Sequence, residues 1–155
     1  MNEHFQSNNP PEMELLAFRL GEQEYCVDIM SVREIRGWTK ATPLPFSSPH
    51  MKGVINLRGT VLPVIDLSVR LGMQAIESTE RNVIIVVDLN GQTVGMLVDA
   101  VSDIISIAPG DLQTPPDVAQ DPSASCICAL TLIENRLIRV LDLNLIAINH
   151  GAQVA

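Results

Sequence analysis

The sequence is short of aromatic residues, of basic residues and of long apolar runs, and each shortage excludes a class of protein. Aromatic residues make up 3% of the 155 positions although 46% are hydrophobic, so the core must be aliphatic, which suits strands. No apolar run approaches the roughly 18 residues of a membrane span, so direct membrane insertion is not expected. The formal net charge of −8 argues against nucleic acid and anionic membrane as partners, since both need basic patches.

Residues 1–12 lack a basic segment followed by an apolar one, so they do not predict a secretory signal. We therefore expect a cytoplasmic protein.

Side chains that carry out chemistry are also scarce. None of the histidines stands near a cysteine or carboxylate at metal-ligand spacing: His4, His50 and His150. The cysteines are odd in number, and the C-x-C of Cys126 and Cys128 has no second ligand pair, so buried inert thiols are expected instead of zinc. No strained G-x-S-x-G turn or phosphate-binding glycine loop is present. The residues thus predict no catalytic site, no cofactor and no metal. A small enzyme or metal-binding barrel remains the alternative, which converging His, Cys or carboxylate side chains would reveal.

Short apolar segments between turn residues predict about ten strands. They cover residues 15–20, 25–27, 32–37, 53–57, 60–65, 82–89, 93–99, 102–107, 127–133 and 136–141. The segment 82–89 is apolar on both faces, which predicts a central, fully covered strand. Asn90-Gly91 predicts a tight hairpin turn. Short helices should follow Asp66 and Asp142, which can act as N-caps.

Polar and proline-rich segments divide the chain. Residues 1–12 are predicted to be a disordered tail, residues 13–149 the folded domain and residues 150–155 a second tail. Within the domain, residues 73–81 predict a polar linker between two halves, and residues 109–125, with four prolines, predict a long loop.

The chain contains one strand-to-helix junction twice. Residues 61–67 (VLPVIDL) align without gaps on residues 137–143 (LIRVLDL), 76 positions later. Residues 27–28 and 32–35 match residues 98–99 and 101–104 more weakly, in the same order. Aspartates recur at these junctions, which favours capping over acid–base catalysis: Asp28, Asp66, Asp99 and Asp142. Two small barrels, each closing its own sheet edges, would explain the repeat. Pro63 and Arg139 align, and an edge or outward position would explain both.

A specific series of motifs runs along residues 13–149. The motifs are Leu20-Gly21-x-x-x-Tyr25, Val32-x-Glu34-Ile35-Arg36-Gly37, Pro43-x-Pro45, Lys52-Gly53-Val54-Ile55-Asn56-Leu57-Arg58-Gly59, Pro63-Val64-x-Asp66-Leu67, Val98-Asp99-x-Val101-Ser102-Asp103 and Arg136-Leu137. In this order they resemble the CheW family of chemotaxis coupling proteins. The resemblance implies a mainly β fold, with two intertwined five-stranded SH3-like β-barrels and short helices.

The resemblance also implies a function without catalysis. Proteins of this family are adaptors that bind the cytoplasmic tips of chemoreceptors and the regulatory domain of the CheA-type histidine kinase. That regulatory domain is itself CheW-like, so the two can alternate in rings beneath receptor arrays at the membrane. The alternative is a coupling protein of a non-motility chemosensory pathway.

Two sets of site residues follow from the resemblance. The expected receptor-binding residues are Ile29, Val32, Gly53, Asn56, Val83 and Ile84, whose apolar members would line a groove for a receptor helix. The expected kinase-binding residues are Glu34, Trp38, Leu44, Phe46, Arg58, Gln113, Asp117 and Val118. Simpler interpretations stay open, since Gly53 and Gly59 suit tight turns and Val83 suits a core. Trp38 suits packing over the first barrel, and Glu34 suits an ion pair with Arg58 across neighbouring strands.

Overall fold

The computed structural model describes residues 12–45, 47–77, 79–115 and 126–146. Within these ranges the strands are β1 (Met13–Leu20), β2 (Gln23–Asp28), β3 (Val32–Gly37), β4 (Met51–Leu57), β5 (Thr60–Asp66), β6 (Val83–Leu89), β7 (Gln92–Val98), β8 (Ala100–Ile107), β9 (Ile127–Ile133) and β10 (Arg136–Leu141). Helix α1 covers Leu67–Arg70, and residues 143–146 form a second helical turn. Among the described residues, no helix combines the length and apolar character needed to cross a membrane.

The strands form two five-stranded sheets. The terminal sheet has the order β8-β1-β2-β10-β9, and the central sheet has the order β3-β6-β7-β5-β4. The chain can be divided into two halves, β1–β5 and β6–β10. The first two strands of the first half, β1 and β2, join the last three strands of the second half. In the same way, β6 and β7 of the second half join β3, β4 and β5 of the first. Parallel pairings of β2 with β10 and of β5 with β7 join the exchanged strands. The expected fold class, mainly β with two intertwined five-stranded units and short helices, is confirmed.

Each sheet closes on itself, because the segment that follows one edge strand forms backbone hydrogen bonds with the opposite edge strand. After β3 the chain returns to β4, where the backbone of Thr42 exchanges hydrogen bonds of 2.8 and 2.9 Å with Val54. After β8 it returns to β9, where Gln113 and Leu130 exchange two bonds of 2.8 Å. The same closure thus occurs in both sheets and covers edges that would otherwise be open to pairing with other chains.

Three of the four aspartates of the repeat act as caps, as predicted, and Asp99 does not. The carboxylates of Asp28, Asp66 and Asp142 each accept a hydrogen bond from a backbone N–H two or three residues further on, at 2.9, 3.3 and 2.9 Å. Asp99 instead accepts from the backbone N–H of Gly21 at 2.6 Å, which ties the start of β8 to the β1–β2 turn. These carboxylates therefore hold chain junctions in place.

The two sheets share one apolar cluster, called the shared core, and the terminal sheet holds a second buried cluster of its own. Phe18 and Tyr25 of the terminal sheet stack with ring centroids 6.2 Å apart, and they belong to the same buried cluster as Ile65, Ile85 and Met96 of the central sheet. Strand β6 lies between β3 and β7 and is buried over residues 84–87, so the prediction of a covered central strand is confirmed. Residues 71–82 connect α1 to β6.

Of the edge and outward positions expected for Pro63 and Arg139, the outward one is observed. Strands β5 and β10 are each second in their sheets, and both side chains are partly exposed. The guanidinium of Arg139 lies 5.6 Å from the centre of the Tyr25 ring. Cys128 is exposed on the edge strand β9, so the prediction of buried thiols was wrong for it. Cys26 is buried, as expected, and burial raises the pKa of its thiol to about 12.

Candidate functional site

An ion pair spans the closure of the central sheet. Glu34 lies on the edge strand β3, and Arg58 lies in the turn between β4 and β5. The Arg58 guanidinium donates to a Glu34 carboxylate oxygen at 2.7 Å, and Arg36 donates to the other oxygen at 3.2 Å. The hydrogen bond from Arg58, followed by that from Arg36, lowers the pKa of the Glu34 carboxyl. The pairing was predicted, but it joins opposite edges of one sheet and not neighbouring strands.

The turn that carries Arg58 is built from local signals. Arg58 and Gly59 both have positive φ, 51° and 84°, as a tight hairpin turn of the type I′ class requires. The Asn56 side chain accepts a hydrogen bond from the Gly59 N–H at 2.8 Å and so holds the turn closed. Asn56 and Gly59 thus fix the backbone from which the exposed Arg58 side chain projects.

The terminal sheet carries an ion pair at the corresponding carboxylate, with an arginine at a different position of its hairpin. Asp103 of β8 aligns with Glu34 in the repeat, and the Arg136 guanidinium donates to it at 3.1 Å. Arg136 follows the β9–β10 turn, formed by Glu134 and Asn135 with φ of 50° and 66°. It also donates to Glu24 of β2 at 2.6 Å. Both sheets therefore place an edge-strand carboxylate against an arginine of the closing hairpin.

Exposed apolar side chains accompany both ion pairs. Ile35 and Ile104, each one position after the acidic residue, are 47% and 57% exposed. Val61 and Leu137, which the repeat aligns, are 69% and 47% exposed. We define the paired surfaces by the two ion pairs: Glu34 with Arg58 on the central sheet and Asp103 with Arg136 on the terminal sheet. Because successive strand residues point to opposite faces, Ile35 and Ile104 do not share a face with the neighbouring carboxylates. The four exposed apolar side chains were missed from the sequence, although the repeat alignment contained them.

The expected receptor-binding residues do not form one compact patch. Ile29 and Val32 lie at the start of β3, where Val32 is paired with Val87 of β6. Val83 and Ile84 lie toward the other end of the same strand pair, about 10–13 Å away at the usual rise per residue. Ile29, Val32 and Val83 are partly buried against the shared core, and Ile84 is fully buried. A single receptor helix would have to run along the β3–β6 pair to reach both ends.

The backbone around position 53 explains why this residue is a glycine. Its φ of 149° is unusual for an L-residue, and a Cβ at this position would come 2.7 Å from the carbonyl carbon of Thr42. Gly53 therefore allows the closing segment to approach β4 closely enough to form the bridge between Thr42 and Val54. This supports the simpler interpretation of Gly53 noted above.

The remaining expected kinase-binding residues are dispersed. Trp38 is partly buried against the shared core, in agreement with packing over the sheet, whereas Leu44 is exposed. Gln113 forms the backbone bridge that closes the terminal sheet, on the other barrel. Phe46, Asp117 and Val118 lie outside the described residues. Within the described part of the chain, no group of three His, Cys, Asp or Glu side chains could hold a metal ion.

Comparisons with known proteins agree with the fold and the motifs. Residues 14–149 match the model of the CheW-like domain. The chain is 53% identical over 131 residues to the chemotaxis protein CheW of Rhizobium meliloti, covering 84% of each chain. It is 50% identical over 137 residues to a probable chemotaxis protein CheW of Rhizobium etli, covering 88% of each. The crystal structure of the scaffolding protein TtCheW from Thermoanaerobacter tengcongensis superposes with a TM-score of 0.81 at 29% identity, covering 88% of this chain and 92% of that one. The chain belongs to the CheW family.

Proposed function

We propose that this chain is a non-catalytic adaptor of bacterial chemotaxis, which couples chemoreceptors to a CheA-type histidine kinase. The observation that carries the proposal is the presence of the paired surfaces, one on each barrel, in a member of the CheW family. An adaptor has to contact more than one partner at a time, and two such surfaces, one on each sheet, meet that need. Nothing in the described residues favours the alternative of a non-motility pathway.

The paired surfaces suit weak and reversible contacts. Each presents one carboxylate–arginine pair whose members are at least partly exposed, and exposed ion pairs are individually weak. We propose that the surface on the central sheet, through Glu34 and Arg58, contacts the regulatory domain of the kinase. Interfaces of this kind are small, under or near about 1,200 Å², and repetition of the contacts in an array would supply the strength.

We assign the start of β3 to the receptor. Ile29 and Val32 are apolar and partly exposed there, beside the highly exposed Met30. A receptor helix could lay an apolar stripe along these residues and continue toward Val83, as in helix-in-groove binding. The buried Ile84 would then support this surface from below.

Reconstitution tests the proposed function. The protein is added to a CheA kinase and to membranes that carry a chemoreceptor, and kinase autophosphorylation is followed. We expect a large rise in kinase activity that requires all three components and that attractant suppresses. Each component is left out in turn as the control. If the folded protein binds neither cognate partner, the family fold has been kept without the coupling function, and the proposal fails.

Replacing Arg58 separates coupling from folding. Because Arg58 is highly exposed, Arg58→Ala should leave the melting temperature nearly unchanged, since exposed ion pairs contribute little to stability. Kinase activation in the reconstituted system should fall, because the kinase-facing surface loses its cation. Arg19→Ala is the control, because Arg19 is also an exposed arginine and lies on β1, outside the residues proposed to face the receptor or the kinase. Equal losses of activation in the two variants, or a large drop in melting temperature for Arg58→Ala, would contradict the assignment.

A charge at Val32 should affect the receptor alone. Val32→Glu is expected to abolish receptor binding while leaving kinase binding near normal, because a carboxylate cannot be accommodated against an apolar helix stripe. Val101, which aligns with Val32 in the repeat and is also partly buried, provides the control variant Val101→Glu. Pull-down with receptor fragments and with kinase measures both interactions. Parallel loss of both in Val32→Glu would indicate a folding defect instead.

A further inference from the structure

The segment that closes the central sheet borders a cleft. Residues 38–43 lead from β3 through the bridge at Thr42, and all of them except Thr42 line one side of a cavity of about 440 Å³. Its floor consists of buried side chains from β5, β6 and β7, namely Val64, Ile84 and Leu97, and Trp38 forms part of its wall. Apolar cavities of this size are typical of sites that bind ligands or partner side chains.

Two unpaired cations stand at this cleft. Lys40 and Lys52 both line it, and they are the only lysines in the chain. Neither has a hydrogen-bond or ion-pair partner among the residues that the structure describes. Several arginines, by contrast, are paired with carboxylates: Arg33, Arg36, Arg58 and Arg136. A chain with a net charge of −8 thus keeps its two free ammonium groups beside one apolar cleft.

The backbone of β4 has a bulge that affects the direction of the Lys52 side chain. The register of β4 against β5 shifts between Met51 and Gly53, which makes Lys52 the extra residue of a bulge. Bulges re-aim side chains and occur next to functional sites. Lys40 belongs to the closing segment, so the two ammonium groups stand on different parts of the chain and can engage two separate anions.

We propose that the cleft binds a segment of a protein partner in which large apolar side chains are flanked on both sides by aspartate or glutamate. The apolar side chains would enter the cleft against Trp38 and its floor, and the flanking carboxylates would pair with Lys40 and Lys52. A cavity of about 440 Å³ admits roughly two large side chains. The ammonium groups of Lys40 and Lys52 stand on different segments, so they match two carboxylates that flank those side chains better than they match a single small anion. The proposal rests on the proposed function, in which the chain binds protein partners.

The single tryptophan provides a direct test. Trp38 is the only tryptophan in the chain, so its emission reports on the cleft. The acetylated peptide EDLFDE should cause a saturable blue shift that weakens as salt is raised. The peptides KRLFRK and EDSSDE, which lack the acidic flanks and the apolar centre respectively, should have no such effect. The shift should also disappear in Lys40→Glu/Lys52→Glu. No response to EDLFDE, or an equal response to all three peptides, would overturn the proposal.

The complete partners test the same cleft. Lys40→Glu/Lys52→Glu should weaken binding to receptor or kinase at least about tenfold, while Lys40→Arg/Lys52→Arg retains it. Arg19→Glu/Arg81→Glu makes the same change in net charge outside the cleft and should bind as the wild type does. If the wild type binds both partners and the lysine reversal has no effect, the cleft proposal fails while the adaptor function stands. If the wild type binds neither, the adaptor function itself fails. A change confined to self-association would show that the occupant is a second copy, which also overturns the proposal.

Discussion

Gly53→Ala is expected to lower the free energy of unfolding by about 2–5 kcal/mol, from backbone strain and steric overlap together. The backbone of Gly53 has a φ of 149°, which L-residues with a Cβ adopt at a cost. The new methyl group would also meet the backbone of Thr42, with the carbonyl carbon 2.7 Å away. Backbone cannot move aside as a flexible side chain can, so the bridge between Thr42 and Val54 has to lengthen or break.

Urea denaturation of Gly53→Ala and Gly91→Ala measures the two contributions separately. Gly91 also has positive φ, 89°, but a Cβ there would meet no heavy atom within 4 Å. Gly91→Ala should therefore show the conformational cost alone, about 1–3 kcal/mol. The additional loss in Gly53→Ala then reports the overlap with Thr42. If Gly53→Ala is no less stable than Gly91→Ala, the close approach of the two backbones does not limit this site.

A change at Gly53 should also affect the proposed binding sites. The closing segment that Gly53 admits also carries Trp38 and Lys40, and it lies next to the edge strand with Glu34 and Val32. An altered closure would disturb several proposed contacts at once. We therefore expect Gly53→Ala to reduce receptor and kinase binding together, in contrast to the selective effects predicted for Val32→Glu and Arg58→Ala.

Local signals in the sequence were sufficient for much of the fold. Asp66 and Asp142 were identified as caps because a carboxylate before a short apolar run satisfies free backbone N–H groups. Asn90-Gly91 was identified as a hairpin because both positions tolerate positive φ, which the structure has at 51° and 89°. The motifs identified the family that the comparisons establish.

Contacts between distant residues were harder to predict. The ion pair between Glu34 and Arg58 was predicted, but its place across the sheet closure depends on the exchange of strands between the two halves. Pro63 and Arg139 suggested an edge because proline lacks an N–H. The parallel pairing of β5 with β7 begins only at Val64, so Pro63 interrupts nothing. The exposure of Ile35 and Val61 depends on the curvature of the barrel and on which strand faces the shared core covers. Neither property can be predicted from the residues next to them in the sequence.

Arg136→Ala is expected to lower the free energy of unfolding at neutral pH by about 1–3 kcal/mol, because it leaves a mostly buried carboxylate without its cation. The guanidinium of Arg136 donates to both oxygens of Glu24, at 3.0 and 2.6 Å, and also reaches Asp103. The Glu24 side chain is only 15% exposed, so solvent replaces the lost hydrogen bonds poorly. Asp103 is about half exposed and should contribute less.

The pH dependence of this loss distinguishes charge from packing. The hydrogen bond from Arg136 holds the pKa of the Glu24 carboxyl below its ordinary value in the folded protein. A carboxyl with a lowered folded pKa stabilises the protein above its unfolded pKa, about 4.3, and this stabilisation is lost as the pH falls through the folded pKa. The difference in unfolding free energy between wild type and Arg136→Ala should therefore be constant from about pH 6 to 8 and shrink below about pH 4. Adding Glu24→Gln to Arg136→Ala should restore part of the stability at pH 7, since the double variant leaves no unpaired charge. A loss of stability that is equal at pH 7 and pH 3 would instead assign the effect to packing of the Arg136 stem. The contacts by which Arg136 of β10 holds β2 and β8 would then be mainly apolar.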